Sequence, residues 1–69
     1  MVNTADARED AKSLKVQGVI LMTQKKFEEA EEKLALAMRL LTTYCPGEAE
    51  ELHSTYQQLE VCQRRMVGF

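Results

Sequence analysis

Tryptophan is absent from this 69-residue chain, proline and histidine occur once each, and glycine occurs three times. With so few Gly and Pro, the chain has few places at which to break a regular element. No stretch alternates Val, Ile or Thr with polar residues, so no strand is expected. No apolar run approaches the ~18 residues that a membrane span needs. The longest such stretch, Val16 to Met22, is too short and holds Gln17 and Gly18. The residues from Met1 to Asp10 are acidic and polar, so no secretory signal is read there. Nine basic and eleven acidic residues give a net charge of −2. The pairs Lys25-Lys26 and Arg64-Arg65 do not amount to the basic stripe that nucleic acid requires. Cys45, Cys62 and His53 fall short of the about four ligands of a structural zinc, and no C-x-x-C pair exists. No metal or cofactor is expected. The sequence alone would allow a Cys45–Cys62 disulfide; the missing secretory signal favours reduced thiols in the cytoplasm.

What is present is a helical chain. Apolar residues make up 45% of it, and Ala, Leu, Glu, Lys, Gln and Met dominate. The only proline, Pro46, is followed by Gly47, a strong turn signal. A first helix is predicted from Ala5 to Thr23, with Ala7, Ala11, Leu14, Gly18 and Leu21 on one face. Its second half adds Val16, Val19, Ile20 and Met22, apolar on most sides. A second helix is predicted from Lys26 to Tyr44, with a stripe of Phe27, Ala30, Leu34, Ala37, Leu41 and Tyr44. Leu36 and Leu40 form a stripe beside it, which suggests a helix held between neighbours. Glu29 stands four residues before Lys33, a favourable but weak pairing. A third helix is predicted from Glu48 to Met66, with Ala49, Leu52, Tyr56, Leu59, Cys62 and Met66 inward. Glu51, Ser54, Gln58 and Arg65 form its wet face. The acids opening this helix and the arginines closing it both suit its dipole. Short connections make neighbours antiparallel. The expected fold is all-α: one antiparallel three-helix bundle covering residues 1–69.

The first two helices read Ala11-x2-Leu14-x3-Gly18-x2-Leu21-x5-Phe27-x2-Ala30-x3-Leu34-x2-Ala37-x2-Leu40. This resembles the tetratricopeptide helix–turn–helix pattern. Gly18 and Ala30 would let two backbones approach, and Leu14, Leu21 and Leu34 would fill the space around the crossing. The string from Lys26 to Glu31 looks like the opening of the second helix of such a repeat. Its extension to Tyr44 is similar to the longer repeats of the kinesin-light-chain type. Leu14, Gln17 and Thr42 depart from the Trp, Leu and Pro of the family pattern. Lys25 stands where Gly or Asn is common. Val19 takes the place of the Asn used to clamp C-terminal carboxylates, so that activity is not expected. The whole chain also resembles the microtubule-interacting-and-trafficking domain, a three-helix bundle with the same kind of hairpin and a long third helix. Both resemblances imply a module that binds a peptide or helix of another protein.

A single hairpin is short for a solenoid, which normally needs about three repeats. Val16, Val19, Ile20, Leu36 and Met38 exceed what one bundle seam needs. The expected function is therefore an adaptor module with an interhelical groove. Its expected contact residues are Val16, Val19 and Ile20 with Tyr56, Leu59 and Gln63. The alternative is a homo-oligomer formed through the same apolar surplus. Catalysis is not expected: His53 reads as a boundary residue, and Cys62 lies on an apolar stripe where thiols behave as small hydrophobes. Cys45, beside the turn, is expected to be exposed. Tyr44 and Tyr56 suit either interface anchors or bundle ends.

Overall fold

A computed structural model describes residues 4–67; residues 1–3 and 68–69 of the expected 1–69 domain lie outside the described part. Three helices follow one another: α1 (Thr4–Thr23), α2 (Phe27–Tyr44) and α3 (Ala49–Met66). The fold is an all-α three-helix bundle, with each boundary within one residue of the sequence expectation. The described part measures 39 × 17 × 13 Å, the shape of three helices lying side by side. α2 is the central element. It packs along both neighbours, whereas α1 and α3 meet only sparsely.

The core has two parts. Ala7, Ala11, Ala37, Leu41 and Cys45 form one, with Leu14, Leu40 and Leu52 packed against it. Ala30, Leu34 and Cys62 form the other, with Leu21, Met22, Phe27 and Leu59 around them. Buried alanines bring α1 and α2 close together. Gly18 marks the tightest approach. A Cβ placed there would lie 2.7 Å from Cγ of Leu34 and 3.4 Å from the Ala30 carbonyl oxygen. Gly18 therefore serves the crossing that the sequence pattern assigned to it.

The α1–α2 turn is a Schellman motif. The Lys26 amide donates to the Leu21 carbonyl (2.9 Å) and the Lys25 amide to that of Met22 (3.0 Å). The motif needs a left-handed residue, and Lys25 supplies it at φ 63°. A side chain thus occupies the position that glycine takes at least cost. At the other end the Glu48 amide closes the Pro46-Gly47 turn onto the Cys45 carbonyl (3.0 Å).

Several side-chain expectations are corrected. Cys45 is buried, packed beside Leu41 and Ala37 rather than exposed in the turn. It is not joined to Cys62, which lies in the other half of the core. On α3 the inward face is rotated from the expected stripe. Thr55 and Cys62 are its fully buried residues, while Ala49, Tyr56 and Met66 are exposed. Thr55 can face inward because it hides its hydroxyl by donating to the Glu51 carbonyl (2.8 Å). The presumed wet face is partly an interface, with Glu51, Ser54 and Gln58 half-buried. On α2 Tyr44 is exposed, and Leu36 turns outward while Leu40 packs on the core. Glu29 and Lys33 form no ion pair among the described residues.

Candidate functional site

α1 and α3 run parallel on the same side of α2. Polar bonds tie their first halves together. Arg8 Nη1 donates to Glu48 Oε1 at 2.8 Å. Lys15 Nζ donates to Ser54 Oγ at 2.6 Å and stands 3.8 Å from Glu51 Oε2. No such bond joins the second halves among the described residues, and a furrow opens there. It is a depression of about 270 Å³ lined by Val19, Met22 and Thr23 of α1, Lys25, Phe27 of α2, and Val61 and Arg65 of α3. Met22 and Phe27 are half-buried and packed on the core, so they form its floor. Val19 and Val61 line it from α1 and α3, and Val61 is 41% exposed. Lys25 and Arg65 add two cations.

The furrow continues around the end of the bundle. A second depression, of about 530 Å³, shares Lys25, Phe27 and Arg65 with it and adds Lys26, Glu28, Glu29 and Met66. Helix α2 begins here, and the third cation, Lys26, precedes it. The α3 C-terminus brings Arg64 and Arg65 to the same end. Arg64 Nη2 is held by Glu60 Oε1 at 2.7 Å, whereas Arg65 has no ion-pair partner among the described residues. The furrow itself has an apolar floor beside Lys25 and Arg65, and the second depression sets Glu28 and Glu29 among its cations.

The six residues expected to form one contact surface do not converge. Val19 lines the furrow. Val16 and Ile20 are 57% and 50% exposed, and Ile20 lines a separate depression with Gln17, Leu21, Glu29, Glu32 and Lys33 on the α1–α2 side. Leu59 packs on the Leu34 half of the core. Gln63 faces α2, where its Nε2 donates to Glu31 Oε2 (3.3 Å). Tyr56 is 49% exposed and, one helical turn before Leu59 and two before Gln63, shares their side of α3. The three α3 residues therefore lie away from α1. Val61 and Arg65 take their place in the furrow. A charged residue four after a valine gives a generic helix-surface pattern, and nothing in the spacing singles this pair out.

His53 is exposed. Among the described residues no group of three His, Cys, Asp or Glu side chains could hold a metal ion. Cys62 is fully buried, and its thiol donates to the Phe27 carbonyl at 3.1 Å. Burial, with the charge of Glu31 added, pushes that thiol up from its usual range. A protonated, buried thiol is a poor nucleophile. No described helix is long and apolar enough to cross a membrane. No family model, curated protein or solved structure matches the chain.

Proposed function

We propose that the chain is a protein–protein interaction domain that seats a segment of a partner protein in the α1–α3 furrow. The observation that carries this reading is the pairing of Val19 and Val61 across an apolar floor of Met22 and Phe27. Such a slot takes one or two apolar side chains of a helix or extended peptide. Lys25, Lys26 and Arg65 beside it favour a partner with carboxylates next to its apolar residues. Binding is favoured over catalysis, because the polar side chains lining the furrow, Thr23, Lys25 and Arg65, are exposed and Thr23 spends its hydroxyl on the Ile20 carbonyl.

The two family resemblances belong to the same proposal. A glycine-centred α1–α2 crossing supports a tetratricopeptide-like hairpin. A third helix, as long as α2, beside that hairpin supports a domain of the microtubule-interacting-and-trafficking kind. A cytoplasmic setting suits both, and it suits two buried cysteines that are not joined in a disulfide.

Selection of binders from a random-peptide display library tests the proposal. Selected peptides should combine apolar and acidic residues. Their binding should be lost on Val61→Asp and on Val19→Asp, with helicity retained. Peptides that bind these variants as tightly as the parent would show that the furrow is not the site.

A further inference from the structure

The outward face of α2 carries a second, unrelated pattern. Glu32, Ala35, Leu36 and Arg39 together line a notch of about 330 Å³. Their spacing is i, i+3, i+4, i+7. That is the diamond of four residues that receives one side chain of a facing helix in knobs-into-holes packing. Ala35 makes the notch, and Leu36 beside it is a knob, 44% exposed. All four residues are exposed.

The patch is complementary to itself. Consider a second α2 laid antiparallel across the first, with a two-fold axis between Ala35 and Leu36. Each Leu36 then enters the notch beside the other copy's Ala35. Each Glu32 meets the other copy's Arg39. One turn further out, Glu28 and Glu29 meet the hydroxyl-bearing Thr43 and Thr42, so no like charges face each other. This is the isologous arrangement that a two-fold dimer requires.

The charges of the patch lack partners among the described residues. Neither Glu32 nor Arg39 has a side-chain hydrogen bond or ion pair among the described residues. On its own helix Glu32 has Glu28 and Glu29 before it and Ala35 and Leu36 after it. Arg39 has Ala35 and Leu36 before it and Thr42 and Thr43 after it. No opposite charge stands at helical contact distance from either. Two copies satisfy both at once.

We infer that this face of α2 binds a second copy of the chain, forming an antiparallel two-fold dimer through Leu36 and reciprocal Glu32–Arg39 pairs. The buried core of α2, Ala30, Leu34, Ala37 and Leu41, points to the other side, toward α1 and α3. The dimer therefore leaves both α1–α3 furrows open and carries two of them. A bivalent partner would bind such a dimer more tightly than a single chain. The dimer itself does not depend on the furrow having a ligand.

Sedimentation equilibrium of the 69-residue chain from about 1 µM to about 1 mM tests this. The parent chain should rise from one chain mass toward two. Glu32→Arg and Arg39→Glu, each alone, should weaken association by at least about tenfold, because each places like charges opposite one another. An equimolar mixture of the two variants should associate again, since every Glu–Arg pair is restored between unlike copies. Leu36→Ala should weaken association with both charges in place. All three residues are exposed, and circular dichroism checks that each variant keeps its helices. A parent chain that stays monomeric throughout, single variants that associate like the parent, or a mixture that gains nothing would each overturn the dimer.

Discussion

Gly18 sits against Leu34 so closely that an added methyl group would lie 2.7 Å from the leucine Cγ and 2.9 Å from its Cδ2. Leu34 is itself fully buried, between α1 and α3. Any shift of its side chain would disturb the core it shares with Ala30 and Cys62. Gly18→Ala should therefore destabilise the domain, although alanine is the better helix former by about 1 kcal/mol. Overpacking a full core costs about 1–3 kcal/mol, so the net loss is about 1 kcal/mol. Chemical denaturation reads it directly. The double variant with Leu34→Val should recover part of the loss.

Lys25 gives a prediction of opposite sign. Its left-handed backbone costs a side-chain-bearing residue about 1–2 kcal/mol. Glycine removes that strain but adds entropy to the unfolded chain. Lys25→Gly should raise stability by about 0.5–1 kcal/mol, seen as a higher melting temperature. The same change takes a cation from the furrow. Affinity for an acidic peptide should fall while stability rises, and this split separates binding from folding.

Cys62 links stability to pH. Its thiol is pushed up by burial and by Glu31, so the folded state holds the proton more tightly than the unfolded chain. The associated stability is fully present below the ordinary thiol value of about 8.5. It is lost as pH rises through the higher folded-state value. Urea melts at about pH 7 and about pH 10 should show an alkaline loss that is smaller in Cys62→Ala. Alkylation of the native protein should also be slow at both cysteines, because Cys45 is buried as well.

Lys15 is the innermost tie between α1 and α3, bonded to Ser54 and close to Glu51. Lys15→Met should keep the stem and lose the ammonium. The expected cost is about 0.5–1.5 kcal/mol, the usual worth of such a bond. Hydrogen exchange should quicken in α3 more than in α2, because α3 depends on fewer packed neighbours.

The fold was legible because it rests on helical periodicity and two short turns. Ala7, Ala11, Leu34 and Ala37 lie where their spacing puts them. The left-handed turn at Lys25 was visible only as a departure from a family pattern. The face of α3 was misread because Thr55 satisfies its own hydroxyl and packs inward, so a polar residue replaced Tyr56 at the seam. The proposed binding surface was half legible. Val19 stood out as apolar surplus on α1. Its counterpart Val61 did not, since its exposure depends on how far α3 diverges from α1, and one helix's periodicity does not encode that. The Glu32–Arg39 patch was hidden for a similar reason: its symmetry appears only when α2 is seen to leave that face open.

The most direct measurement is an amide-shift map of the labelled chain titrated with a selected acidic–apolar peptide. The largest changes are expected at Val19, Met22, Phe27, Val61 and Arg65, with those at Leu36 and Arg39 small. Changes centred on Tyr56, Leu59 and Gln63, or on α2's outward face, with the furrow residues unmoved, would contradict it.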